Sequence, residues 1–353
     1  MGVDLASSTE KHLCDHLTEL DCQVTLISPG ELDSQDFHHI PIHDWRIPGL
    51  TTISGARNAC SIIEKNGMDD YDIVLIDWRY VKSMSRAISR FKIPWAIVDR
   101  GPPAKLGFFN RLQKWYWAEA WNFANTSSVG GTVVSTKHRD FVHGLTGYSK
   151  QLFVVPAGSN NNPYLEHKKN PHDLIKLVYI GRIDRRRGVS EIINLSEKLN
   201  RKELKYEINI CGSGDFEREI RGASDSKPGL IFHGEVSNDE VLKIMGKCHL
   251  GIMPMPDIPV WRISSTLKLA EYLSSGLGII GADHPGNRIP DMGGCNMLSK
   301  GDWVTESLSL LGDIHSIDWP GILESSLVAS EAVSWRTISK NLRDVLENWI
   351  KST

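Results

Sequence analysis

Short apolar runs alternating with helical stretches predict an α/β protein made of two doubly wound, Rossmann-like domains. The chain has 353 residues, enough for two domains of ordinary size. Strand-like runs recur at 24–28, 72–77, 95–99, 131–135 and 151–156, and again at 175–181, 206–211, 230–234, 250–255 and 278–282. Helical spacing fills the gaps, for example at 11–20, 189–199, 238–247 and 267–275. Strands that alternate with helices form a parallel sheet covered on both faces. Between the two sets lies "PAGSNNNPYLEHKKNPHD", rich in Asn, Pro and charge and without a period, which reads as a linker.

The expected division is therefore 1–157, a linker at 158–173, a second domain at 174–320, and C-terminal helices at 321–353. In the last of these, Trp335, Ile338, Leu342, Val345, Leu346 and Trp349 fall at helical spacing. That closing helix is expected to pack back on the first domain. One element is out of order. The helix "TEKHLCDHLTEL" opens the chain almost at once, so the first strand of the N-terminal domain is absent or truncated.

Composition narrows the function. Hydrophobic residues make up 41% and charged residues 24%, which suits a globular fold. A net charge of -3 argues against a dedicated nucleic-acid partner. The six cysteines form no CxxC pair and read as reduced thiols. No apolar run reaches the roughly 20 residues of a membrane helix, and "MGVDLASSTEK" lacks the apolar core of a signal peptide. A cytoplasmic protein is expected, with contact at the inner face of the membrane left open.

The chemistry concentrates in "LVYIGRIDRRRGV", 177–189. In open α/β sheets, ligands bind at the C-terminal edge of the strands. Arg182 follows the strand and its glycine, and Arg187 is expected at the start of the next helix, where free amides favour an anion. Guanidinium groups grip phosphate in bidentate fashion. The competing reading is a solvated basic turn, which suits Arg185 and Arg186. A second element is "ISSTLKLAEYLSSGLGII", 263–280, whose Ser264, Ser265 and Thr266 precede a helix. Its tip is a second anion site. Glu271 lies five residues after Thr266, roughly 8 Å along the axis. One helix could thus hold phosphate at its tip and a ribose diol at Glu271. The competing reading is a surface Glu271–Lys268 pair worth only ~0.2–0.5 kcal/mol.

Five segments in order, "YIGRIDRRRGV", "INICGSGDFERE", "IFHGEVSNDEVLKIMGKCHLGIMPM", "LKLAEYLSSGLGIIGAD" and "PGNRIPDMGGCNMLSKGD", resemble family 4 glycosyltransferases of the GT-B fold. The resemblance spans about 175–313; in the first half only "YDIVLID", "VVSTKHRDFV" and "FVVPAGSN" look similar. It implies an acceptor-side first domain, a nucleotide-sugar-binding second domain, and a cleft between them closed by a hinge. It implies transfer of a sugar from a nucleoside-diphosphate sugar to a glycan, glycolipid or polysaccharide hydroxyl. Retention of configuration is implied, with no metal and no cofactor beyond the co-substrate.

Residue by residue, the resemblance places the donor diphosphate on Arg182 and Arg187 and on the backbone at Thr266 and Leu267, beside Ser265 and Lys268. It places the ribose on Glu271 and the base beside Gly234, Glu235 and Val236. Gly212 and Gly214 resemble the family's second glycine loop, mainly as a turn. In the first domain "VDRGPP" puts Arg100 where the family often has a histidine near the sugar, preceded by Asp99. Arg100 could hold phosphate or an acidic acceptor and Asp99 a sugar hydroxyl; a strand-end turn with a salt bridge is the alternative.

Three departures stand out. Ile263 replaces a glutamate common eight positions before the ribose-binding one, and Arg100 replaces the histidine. The glycine-rich loop near the acceptor is represented only by 2–8. A GT-B epimerase or phosphorylase, or a silent nucleotide-binding scaffold, therefore stays open.

Two further segments carry candidate side chains. "KLGFFNRLQKWYWAEAWNF", 105–123, combines aromatic and basic residues and could touch a membrane surface while helping a lipid-linked acceptor. An amphipathic helix packed on the first sheet explains the same pattern. His12, Cys14 and His16, and "DDYD" at 69–72, do not have metal-site spacing and are read as structural.

Overall fold

The computed structural model describes residues 9–32, 36–42, 51–68, 70–103, 108–166, 171, 174–289 and 292–353; at 51 and 108–110 only the backbone is described. The chain forms two compact units, Met1–Pro156 with Trp335–Thr353, and Ala157–Ser334.

The first unit runs α1 (Thr9–Thr18), β1 (Thr25–Pro29), β2 (His38–Ile42), α2 (Thr51–Asn66), β3 (Val74–Asp77), α3 (Trp78–Ile88), β4 (Trp95–Asp99), α4 (Phe108–Ser127), β5 (Gly130–Val133), α5 (Thr136–Thr146) and β6 (Leu152–Val154). Its sheet comes in two parallel pieces among the described residues, β1-β2 and β3-β4-β5-β6. Strand β2 was not expected: "HHIPI" has two histidines and a proline and no apolar alternation. The expected glycine loop at 2–8 lies outside the described residues.

Packing explains the strands. Trp95, Ala96 and Ile97 of β4 are buried, and so are Trp117, Ala120, Trp121 and Ala124 at helical spacing on α4. Each large apolar side chain so enclosed contributes about 1.5–3 kcal/mol. The opposite side of α4 leaves Leu112 and Trp115 exposed. The C-terminal helix Trp335–Lys351 belongs to this unit; its Trp335, Ile338 and Leu342 form a cluster with Leu17 of α1. His12 stacks on Trp335 at 5.3 Å, and the His16 imidazole pairs with the His12 carbonyl, so both rings serve packing.

The second unit runs β7 (Ile175–Ile180), α6 (Ser190–Arg201), β8 (Tyr206–Cys211), α7 (Glu217–Ser226), β9 (Leu230–Gly234), α8 (Asn238–Gly246), β10 (Leu250–Met253), α9 (Pro259–Arg262), α10 (Leu267–Ser274), β11 (Gly278–Ala282), β12 (Asn296–Ser299), α11 (Trp303–Leu311) and α12 (Trp319–Glu331). Its six strands are parallel in the order β12-β11-β10-β7-β8-β9. The chain leaves β7 toward β8 and β9, then returns to β10 on the other side. The order reverses between β7 and β10, where doubly wound sheets open a ligand crevice.

The linker reading changes at 157–166. Asn162 Nδ2 donates to the Leu242 carbonyl and to Ser275 Oγ, and Ser159 Oγ donates to the Ala270 carbonyl. Its polar composition satisfies buried partners in the second unit rather than solvating a free tether.

Candidate active site at the β7–β10 switch point

Strand β7 is almost wholly buried and delivers Gly181 and Arg182 to the C-terminal edge. Gly181 has φ +96, and a Cβ there would sit 3.2 Å from Lys268 Cε. Next comes a 3-10 turn, Arg185–Arg187, closed by Gly188; α6 begins only at Ser190. Arg187 therefore ends a tight turn, and does not open the helix as its sequence position suggested. The extra turn brings Asp184 between the two arginines. Asp184 Oδ2 is 3.2 Å from Arg182 Nε and 3.4 Å from Arg187 Nε.

The two guanidinium groups differ. Arg182 is half-exposed, with 52% of its side chain accessible. Arg187 is more enclosed, lies 5.2 Å from the centroid of the Trp261 ring, and has a buried Nε without a hydrogen bond. Trp261 in turn donates from Nε1 to the Arg186 carbonyl. It thus fixes both the plane of Arg187 and the backbone beside it. Arg185 turns away, pairing with Glu219 at 2.9 Å.

Helix α10 supplies the second half. Thr266 caps it in extended conformation without a side-chain cap, and its buried Oγ1 has no hydrogen-bond partner. The first amides of a helix are open donors, so this tip carries a fractional positive charge. Ser265 is already used: its Oγ accepts from the Ala157 amide at 2.9 Å, which favours a structural role. Leu267 exposes its side chain and can offer only its backbone amide to the tip.

Lys268 is turned inward, at 7% exposure, rather than paired on the surface. Its Nζ donates to Tyr179 Oη at 2.8 Å. Burial, reinforced by the Arg187 charge, lowers its pKa to about 7, with Glu271 and Asp184 opposing. Glu271 follows one turn later, half-buried, its carboxyl raised to about 7 by burial, with Lys268 opposing. An uncapped tip, three cations sharing one carboxylate and one phenol, and an acid one turn away fit a diphosphate and a diol.

The remaining expected residues divide. Gly212 has φ +139, and a Cβ there would come within 1.9 Å of the Gly181 carbonyl oxygen, so its absence of a side chain serves close strand approach. Its amide donates to the Gly234 carbonyl, tying the ends of β8 and β9. Glu235 follows β9 and accepts from Ser213 Oγ at 3.0 Å, while Val236 packs on the core.

In the first unit, Asp99 is fully buried. Its Oδ1 accepts from the Gly101 amide, and Oδ2 accepts from Trp117 Nε1 at 2.6 Å and Trp121 Nε1 at 3.2 Å. His138 lies 3.5 Å away. These partners hold the carboxyl below its usual range despite burial, which opposes them. A carboxylate so enclosed organises the strand end and leaves no oxygen facing outward for a sugar; its place as a catalytic residue is corrected accordingly. Arg100 Nη1 donates to the Val155 carbonyl at 2.7 Å.

Trp261, Asp184 and Tyr179 were not singled out in the sequence. Two cavities, of about 270 and 280 Å³, lie elsewhere, one beside Glu191 and Asp302, the other beside Pro102 and Trp117. Among the described residues no cluster of three or more metal-binding side chains occurs, and no helix is long and apolar enough to cross a membrane.

Residues 175–309 match the family described as "Glycosyl transferases group 1". That domain on a GT-B fold makes the chain a glycosyltransferase. The whole chain resembles a sucrose-phosphate synthase from Thermosynechococcus elongatus at 12% identity and TM-score 0.76, over 98% of this chain and 93% of that one. A glycosyltransferase from Rickettsia africae ESF-5 aligns at 12% identity and TM-score 0.71, over 97% and 94%. HepE from Anabaena, solved with UDP, aligns at 13% identity and TM-score 0.63, over 89% and 87%. A search of curated proteins finds no match.

Proposed function

We propose that the chain is a family 4 enzyme that transfers a sugar from a nucleoside-diphosphate sugar to a hydroxyl of a glycan, glycolipid or polysaccharide. The observation that carries the reading is a pair of buried polar atoms without a hydrogen bond at the switch point, Thr266 Oγ1 and Arg187 Nε, beside inward-turned Lys268. The diphosphate would lie on the α10 tip against Arg187, Lys268 and Arg182, and the ribose on Glu271. The UDP of the Anabaena structure supports a nucleoside diphosphate as the ligand class.

As the C1–O bond to the leaving phosphate breaks, its electron pair stays with the phosphate. The tip amides and three cations offset the growing charge, each donor being worth a few kcal/mol. The acceptor oxygen bonds to C1 from the leaving-group face, and the departing phosphate takes its proton. That route retains configuration and draws its charge stabilisation from backbone amides and cationic side chains, without a metal. An acceptor at a cytoplasmic membrane surface suits the exposed Leu112 and Trp115 of α4.

The test is a screen of UDP-, GDP-, dTDP- and ADP-sugars by thermal shift, followed by product analysis of transfer with the best donor. A donor that stabilises the protein and yields a glycosylated acceptor of unchanged anomeric configuration, in chelator, supports the reading. Stabilisation by none of them counts against it; phosphate consumption or epimer release would assign another reaction.

A further inference from the structure

Tyr179 is fully buried in β7, directly before Ile180 and Gly181. A sequence reader sees one more aromatic in an apolar run. In the structure its hydroxyl joins the two halves of the anion site. Oη donates to the Arg182 carbonyl at 2.6 Å and accepts from Lys268 Nζ at 2.8 Å. A phenol has one proton. Once it is given to Arg182, the bond to Lys268 must run from the lysine, which favours an ammonium there. The Lys268 Nζ also lies 4.0 Å from the centroid of the Tyr179 ring.

The other charges around Lys268 do not do this work. Arg187, from the 3-10 turn, repels it, while Asp184 and Glu271 attract it. Asp184 is engaged by both arginines, and Glu271 lies on the lysine's own helix.

We propose that Tyr179 is a positioning residue of the donor site, holding the Lys268 ammonium near the α10 tip and coupling it to the Arg182 backbone. The inference rests on the nucleoside-diphosphate reading for its functional consequence. The Tyr179–Lys268 coupling itself can be measured without any ligand.

The variant is Tyr179→Phe, which keeps the ring and removes the oxygen. Two measurements are made on the full chain from pH 6 to 9: UDP binding by calorimetry, and titration of Lys268 by NMR of lysine labelled at Cε. Without its acceptor the ammonium is less favoured, so the Lys268 midpoint moves to lower pH. UDP binding weakens about tenfold at pH 7.5, the order expected for one hydrogen bond to a charged group, and its alkaline limb moves down with the midpoint. In a Lys268→Met background the same change leaves UDP binding as it was. Wild-type binding and an unmoved midpoint in Tyr179→Phe overturn the proposal, as does an equal loss with and without Lys268. A wild-type chain that binds no UDP, GDP, dTDP or ADP sinks the donor reading instead. The NMR midpoint then still decides whether Tyr179 governs Lys268. Should Tyr179→Phe fail to fold, the Tyr179→Phe/Lys268→Met double variant, relieved of the buried charge, tests the same independence.

Discussion

Replacing Lys268 with methionine should stabilise the ligand-free chain while destroying its hold on a nucleoside diphosphate. The side chain is similar in length and 7% exposed, so packing is largely kept. Burial lowers the lysine from 10.5 to about 7. At about 1.4 kcal/mol per tenfold, that caps the cost of folding around it at roughly 4–5 kcal/mol. Loss of the bond to Tyr179 returns about 1–3 kcal/mol, leaving a net gain of about 2 kcal/mol. For a unit of this size the gain corresponds to a rise of about 4–8 °C in Tm. The sign with pH follows from linkage. A lysine lowered in the folded state costs stability in full below pH 7, and the cost fades as pH rises from 7 to the unfolded value of 10.5. The gap between variant and wild type is therefore widest at pH 6–7 and closes toward pH 10. A buried charge-assisted contact to phosphate is worth ~1.5–3 kcal/mol, so UDP binding should fall about 10- to 150-fold. Urea unfolding at several pH values and calorimetry with UDP read both quantities. A variant less stable than wild type at pH 6–7, with UDP binding unchanged, refutes the reasoning.

Three other perturbations follow from the same geometry. Glu271→Gln should weaken UDP about tenfold yet leave inorganic pyrophosphate binding unchanged. Because the Glu271 carboxyl is raised to about 7, the variant's stability advantage should be full above pH 7 and vanish as pH falls toward 4.5, measured by thermal unfolding. Trp261→Leu removes the ring against Arg187, worth ~0.5–2 kcal/mol, so UDP affinity should drop a few-fold with little change in Tm. Asp99→Asn, in the first unit, turns an acceptor of two indole N–H groups into one that also brings donors; it should cost about 2–4 kcal/mol by urea unfolding. The Asp99 carboxyl is held low in the folded state, so that loss should be complete above the unfolded value of 3.8 and shrink as pH falls below it.

How far the sequence reaches is visible at individual residues. Strand β7 was legible because buried parallel strands read as unbroken apolar runs. Helix α10 was legible because Thr266 precedes an amphipathic segment closed by Gly276. Strand β12, "NMLS", follows a glycine-rich turn and gives no run long enough to recognise. Trp261 was invisible because its role depends on a four-residue helix, α9, folding against the 3-10 turn at Arg185–Arg187. Asp184 carries no sequence signal, because its role is to sit between two arginines that a 3-10 turn brings together. Asp99 shows the reverse error: its place beside the family's histidine position suggested a working carboxylate, and only the two tryptophans of α4 reveal that it faces inward. The polar stretch at 157–166 misled for a related reason, since buried asparagine and serine satisfied by backbone look like a linker when partners are unseen.

A crystal structure of the chain with UDP, or with whichever nucleoside diphosphate stabilises it most, is the most direct measurement. The account places phosphate oxygens within about 3 Å of the Thr266 and Leu267 amides and of Lys268 Nζ, with the ribose hydroxyls on Glu271. A diphosphate bound at any other edge of the second sheet, with Thr266 Oγ1 and Arg187 Nε still without hydrogen bonds, would contradict it.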